Sequence, residues 1–123
     1  MANEKTLLEV INKIEADVGG MIAAAAVDLE SGMTLAAKSN RPEFDLSVAS
    51  AYNSELVKQK MKIMQALNLK STLEDMLLTL SDQLHLIKIL PRGAGFLYLA
   101  ADKQGTNLAI LRTAVNKHCA ALV

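Results

Sequence analysis

The stretch GGMIAAAAVDLESGMTLAAKS, Gly19 to Ser39, decides how the rest of the chain must be arranged. Met21 to Leu29 is a nearly unbroken apolar run of strand length, built largely from small residues. Glu30-Ser31-Gly32 supplies a turn, since Gly32 can take positive φ at no steric cost. Met33 to Ala37 is a second short apolar run, closed by the polar Lys38-Ser39-Asn40. Two apolar runs joined by a glycine-containing turn read as a β-hairpin. Ala23 to Ala26 would suit a helix by propensity, but Gly19-Gly20 and Ser31-Gly32 bracket too short a segment. The first run does not alternate between apolar and polar, so both its faces are expected to be covered, as in a central strand.

Upstream of the hairpin, Asn3 to Val18 reads as a helix, with Asn3 as cap and Glu4 where the helix dipole favours an anion. Leu7, Leu8, Ile11, Ile14 and Val18 recur at three- and four-residue spacing and define its apolar face. Downstream, Pro42 holds Asn40 to Glu43 in a loop. A long helix then starts between Asp45 and Ser47 and runs to Leu67 or Asn68. Its expected buried stripe is Val48, Tyr52, Leu56, Ile63 and Leu67, with a second apolar line at Ala49, Val57, Met61 and Met64. Such a wide apolar arc serves either a helix deep in its own core or one that covers two surfaces.

Three more strands follow: Leu73 to Leu80, His85 to Leu90 and Phe96 to Ala101, the last apolar on both faces and therefore interior. A final helix spans Asn107 to Leu122, capped by Thr106 or Asn107, with Leu108, Leu111, Ala114, Val115, Cys119 and Leu122 inward. The order α-β-β-α-β-β-β-α predicts an α+β (α/β) domain, residues 1–123, with a five-stranded, mostly antiparallel sheet and helices on both faces.

Composition removes several classes of function. Lys plus Arg and Asp plus Glu balance at 13 each, with no basic block, which argues against nucleic acid. Two Phe, two Tyr and no Trp leave few platforms for stacking bases or sugars. No apolar run approaches the roughly 18–20 residues that span a bilayer, and MANEKTLLEV lacks the layout of a secretion signal. The single cysteine fits a reducing compartment. A cytoplasmic domain is expected, without membrane insertion.

No catalytic, cofactor-binding or metal site emerges. His85 and His118 are the only histidines, and no cluster has metal-ligand spacing. His118 near a helix C-terminus is explained by the dipole, and Cys119 by the core. Arg92-Gly93-Ala94-Gly95 joins two strands and so lacks the helix N-terminus that cradles phosphate; it reads as a hairpin turn. Lys58, Lys60 and Lys62 form either a solvated face or, with Glu55 and Gln59, the rim of a helix-mediated interface.

The segments AAAAVDLESGMTLA, SELVKQKMKIMQAL, LEDMLLTLSDQLHLIKIL and FLYLAADKQGTNLAILR together resemble the Roadblock/dynein light chain domain, over Glu4 to Leu122. They are most similar to bacterial members that partner small Ras-like GTPases, the gliding-motility regulators among them. The resemblance implies a profilin-like sheet in the order 2-1-5-4-3. It also implies a homodimer in which the third strand pairs with its counterpart and the long helices pack together. In that dimer Val57, Met61, Met64, Met76 and Leu78 would line the interface, and Glu55, Lys58, Gln59 and Lys62 would face a partner. The implied function is a platform that regulates or docks a small Ras-like GTPase, with no enzymatic activity of its own. The alternatives are a structural scaffold subunit without nucleotide preference and a small-molecule sensor.

Overall fold

A computed structural model describes residues 3–93 and 95–122. The alanine run is a strand: β1, Met21–Asp28, is buried at every residue but the last. Ala24 and Ala26 point to one side of the sheet, Ala23, Ala25 and Val27 to the other. Its neighbour β5, Gly95–Asp102, is equally enclosed. Leu97, Leu99 and Ala101 lie on the first side, Phe96, Tyr98 and Ala100 on the second. Small faces large across this pair: Ala25 stands opposite Tyr98, which leaves room for a ring in a densely packed layer. Gly95 is required by close approach, because a Cβ there would lie 2.6 Å from the carbonyl oxygen of Val27.

The remaining strands are β2 (Thr34–Ser39), β3 (Asp75–Thr79) and β4 (Gln83–Ile89). The sheet is antiparallel throughout, in the order β2-β1-β5-β4-β3, so β2 and β3 are its edges. This is the order the family resemblance implies. The turn between β1 and β2 places Gly32 at φ +76, and the Asp28 carboxylate accepts from the Ser31 amide, 3.0 Å. Pro91–Gly93 makes a short 3-10 turn between β4 and β5; Ala94, part of the glycine-rich motif, lies outside the described residues.

Helices α1 (Glu4–Asp17) and α3 (Leu108–Cys119) pack against one another on one face of the sheet. They bury Leu7, Val10, Ile11 and Ile14 from α1 and Leu111, Ala114, Val115 and Cys119 from α3. Asn3 caps α1 by accepting from the Thr6 amide at 2.9 Å, and Asn107 caps α3 through the Ile110 amide at 3.1 Å.

The opposite face carries α2, Leu46–Ala66, which packs over β1 and β2. Asp45 caps it, accepting from the Ser47 and Val48 amides. Just past its Leu67 cap the chain turns at Asn68, φ +55, where the Asn68 amide donates to Gln65 and the Leu69 amide to Met64. That paired pattern closes a helix whose last carbonyls need partners.

One expectation is reversed here. The large side chains Val48, Tyr52, Leu56, Ile63 and Leu67 do not form the buried stripe; they are 49, 74, 37, 41 and 63% exposed. The line that seats on the sheet is Leu46, Ser50, Ser54 and Val57, continued by the partly buried Met61. Two serines explain the choice. Their small side chains let the helix sit low over the hairpin, and the Ser50 hydroxyl finds Thr34 Oγ1 of β2 at 2.9 Å. A bulky stripe would hold the helix away from an alanine-rich sheet.

Candidate docking surface

A line of large apolar side chains on the outer face of α2 is the main unsatisfied feature of this fold. Val48, Tyr52, Leu56, Ile63 and Leu67 recur at four- and seven-residue spacing, so they stay on one side of the helix over roughly 28 Å. Single exposed apolar residues are ordinary, but a contiguous helical stripe of them marks a surface meant to be covered. Glu55, Gln59 and Lys62 are exposed beside the stripe and give it a polar margin.

Lys58 does something else. Its ammonium donates to the carbonyl oxygen of Glu30 in the β1–β2 turn, 2.9 Å, and lies 3.9 Å from Glu55. The side chain therefore ties the hairpin to α2 while remaining 37% exposed.

The edge strand β3 is the second unsatisfied feature. It pairs only with β4, leaving its outer row of backbone donors and acceptors open. Met76 packs against the α2-side core and Leu77 against the opposite one. Leu78 is exposed, and so is Leu80 just beyond the strand. Asp75, at the start of β3, pairs with Arg112 of α3 at 3.2 Å, which anchors the edge to the helical layer behind it.

The interface set read from the sequence therefore separates. Val57 is 0% exposed in the chain's own core and has no surface left for a partner. Met61 and Met76 are half-buried against that core, Met64 is half-buried, and Leu78 is open. Hydrophobicity alone turns Val48, Tyr52, Leu56, Ile63 and Leu67 inward, and the structure turns them outward. The signal that reverses the assignment is the Leu46-Ser50-Ser54-Val57 line itself, small and apolar residues at helical spacing.

The titratable groups are placed structurally. Cys119 is buried, which pushes its thiol up to about 11 and leaves it an inert core residue. His118 Nε2 lies 2.7 Å from the Asp17 carboxylate and joins the ends of α3 and α1. His85 is half-buried between Phe44 and Tyr98. Among the described residues, no group of three or more His, Cys, Asp or Glu could hold a metal ion. No described helix is long and apolar enough to cross a membrane.

No family model and no curated protein matches the sequence. Solved structures do match in three dimensions. The gliding protein MglB from Thermus thermophilus superposes with a TM-score of 0.83 at 15% identity, covering 99% of this chain and 89% of that one. Myxococcus xanthus MglB gives 0.79 at 11% identity, over 97% and 89% of the two chains. A Roadblock/LC7 domain from Streptomyces avermitilis gives 0.78 at 11% identity, over 99% and 95%. These likenesses establish the fold.

Proposed function

We propose that this chain, which has the Roadblock/LC7 fold, is a cytoplasmic homodimeric platform that docks and regulates a small Ras-like GTPase. The observation that carries the reading is the outward apolar stripe of α2, a helix-long surface that the monomer leaves wet. In the proposed dimer the two α2 stripes pack together and the open edges of β3 pair, extending the sheet from five strands to ten. Leu78 joins that seam, and Met61, Met64 and Met76 lie behind it. The neighbouring polar margin of Glu55, Gln59 and Lys62 then offers a surface to the GTPase.

The chain itself performs no chemistry in this reading. Hydrolysis belongs to the GTPase, and the platform acts by holding one conformation of its switch segments better than the other. A ligand shifts such an equilibrium only by its differential affinity for the two states. The GTPase assignment draws on the resemblance of the sequence to GTPase-partnering members, and the likeness to MglB, named a gliding protein, supports it.

The test is a pull-down with purified Ras-like GTPases from the same source, each loaded with GDP or a non-hydrolysable GTP analogue. Preferential capture of the GTP form, followed by faster hydrolysis in single-turnover assays, is the expected result. Equal capture of both forms, or of neither, would replace the regulator with a structural scaffold.

A further inference from the structure

The two edges of the sheet are built differently. β2 carries Lys38 within its length, and its pairing with β1 shifts register between Ala26 and Val27; both features discourage a further strand. β3 has neither. It pairs with β4 without a break, and its one charge, Asp75, is committed to Arg112. The bonds at its two ends fix the phase of its backbone. Leu80 donates to the Gln83 carbonyl and Glu74 accepts from the Ile89 amide, so Glu74, Met76, Leu78 and Leu80 turn their backbone groups toward β4. Asp75, Leu77 and Thr79 turn theirs outward, and none takes a backbone partner among the described residues. The side chains alternate with the same period. Asp75, Leu77 and Thr79 lie on the face of α1 and α3, Met76 and Leu78 on that of α2.

We propose that β3 pairs with β3 of a second copy in a single register, centred on Leu77, in which every outward-turned residue meets an outward-turned residue of the partner. The inference rests on the dimer of the preceding section and fixes the geometry of its seam. A two-fold axis passing between residues would set outward-turned groups against inward-turned ones, so the axis must pass through a residue. With the axis at Leu77, Leu77 faces itself and Asp75 faces the partner's Thr79 on either side: three pairs, each exchanging two hydrogen bonds. With the axis at Met76 or Leu78, only two such pairs fall within Asp75–Thr79, and Thr79 or Asp75 respectively is left open. The side chains agree with the backbone. On the α2 face Met76 meets the partner's Leu78, and Leu78 the partner's Met76, giving an apolar floor between the two helices. On the other face Leu77 meets Leu77, and the partner's Thr79 hydroxyl stands beside Asp75, whose Oδ1 accepts from Arg112 at 3.2 Å.

Cysteine pairing on the α2 face reads this register, on the side of the sheet away from the buried Cys119. With the axis at Leu77, Met76 stands about 4.5 Å from the partner's Leu78, Cα to Cα, but about 7–8 Å from the partner's Met76. A disulfide closes the first distance and not the second. Full-length Met76→Cys and Leu78→Cys chains, distinguished by a tag and mixed, should therefore form a covalent heterodimer on mild oxidation, and neither should form a covalent dimer alone. Amide exchange of the unmodified chain reads the register without any substitution. The Asp75, Leu77 and Thr79 amides should slow together, by about tenfold once about nine-tenths of the chain is dimeric, because exchange then passes through the remaining monomer. A covalent dimer of Leu78→Cys alone with the Asp75 amide still fast would overturn the Leu77 register and leave the dimer standing. So would a covalent dimer of Met76→Cys alone with Thr79 still fast. A chain that sediments as a dimer with none of the three amides slowed would remove β3 from the seam and overturn the proposal. A chain monomeric at every concentration would overturn the dimer and the register together.

Discussion

Leu56 and Val57 are adjacent in sequence and opposite in consequence, and that contrast tests the orientation of α2 directly. Val57 is fully buried against the sheet, in the cluster that holds Phe96 and Tyr98, whereas Leu56 is 37% exposed on the outer stripe. Val57→Ala removes two methyl-sized groups from a packed core. At about 0.8 kcal/mol for each in lost transfer energy, plus a contribution from incomplete collapse of the cavity, the cost is about 2–3 kcal/mol. Leu56→Ala removes atoms that are already partly in water, so its effect on the isolated chain should stay below about 1 kcal/mol. Its cost should appear instead in self-association. Urea denaturation at low and fixed protein concentration measures the first quantity, and sedimentation equilibrium over a range of concentrations measures the second. Concentration must be controlled, because association stabilises the folded state by mass action. Leu56→Glu sharpens the contrast: a charge on the outer stripe leaves the fold intact but is unpaired if the stripe is buried in a dimer. The reasoning is refuted if Val57→Ala leaves the urea midpoint unchanged, or if Leu56→Glu unfolds the chain.

Two further expectations concern places where the backbone or a charge leaves little freedom. Gly95→Ala drives a Cβ to 2.6 Å from the Val27 carbonyl oxygen, a backbone atom between two central strands, and should cost about 1–3 kcal/mol in chemical denaturation; an unchanged midpoint would mean that β1 and β5 separate freely. Glu15 of α1 accepts from Lys38 and from Asn40 Nδ2, and these bonds hold its carboxyl below the ordinary 4.5. Its contribution is therefore present above the unfolded value and lost as pH falls through the folded one. Lys38→Met should flatten stability between about pH 5 and about pH 3, and an acid limb identical to wild type would remove the pair from the account.

The fold was legible because the decisive segments carry signals that survive without context. Gly19-Gly20 and Ser31-Gly32 cut the alanine run to strand length, which overrides helix propensity, and the lack of alternation in β1 and β5 marks both as interior. Strand limits were less sharp. β4 begins at Gln83, two residues before the expected His85, and β3 is Asp75–Thr79, shorter at both ends than Leu73 to Leu80. Backbone pairing decides where these strands stop: Glu74 and Leu80 still bond to the partner strand's ends through Ile89 and Gln83, but outside the ladder. The cap at Asn3 was readable, and that of α3 as one of two neighbours, Thr106 or Asn107, because a short polar side chain before an apolar-periodic run has one favourable use; Asp45 was legible only as one limit of the start of α2.

The docking surface was legible only as a pair of alternatives, and the reason is physical. Periodicity shows that a helix has two apolar lines; it does not say which one meets the sheet. Hydrophobicity ranks the line with Tyr52, Leu56 and Ile63 as the core, yet burial depends on fit as well as on transfer energy. The surface under α2 is a strand of alanines and a hairpin carrying Thr34, and it accepts serines, a valine and a methionine at close range. The larger line is displaced outward, where the chain alone gives it nothing to cover. The same choice turns Lys58 back to the Glu30 carbonyl and leaves Gln59 and Lys62 outward. A helix whose larger apolar side chains face water, on a sheet whose edge strand is open, presents the surface that the proposed dimer would cover. Its small residues are used to build the fold, and its large ones remain available for association.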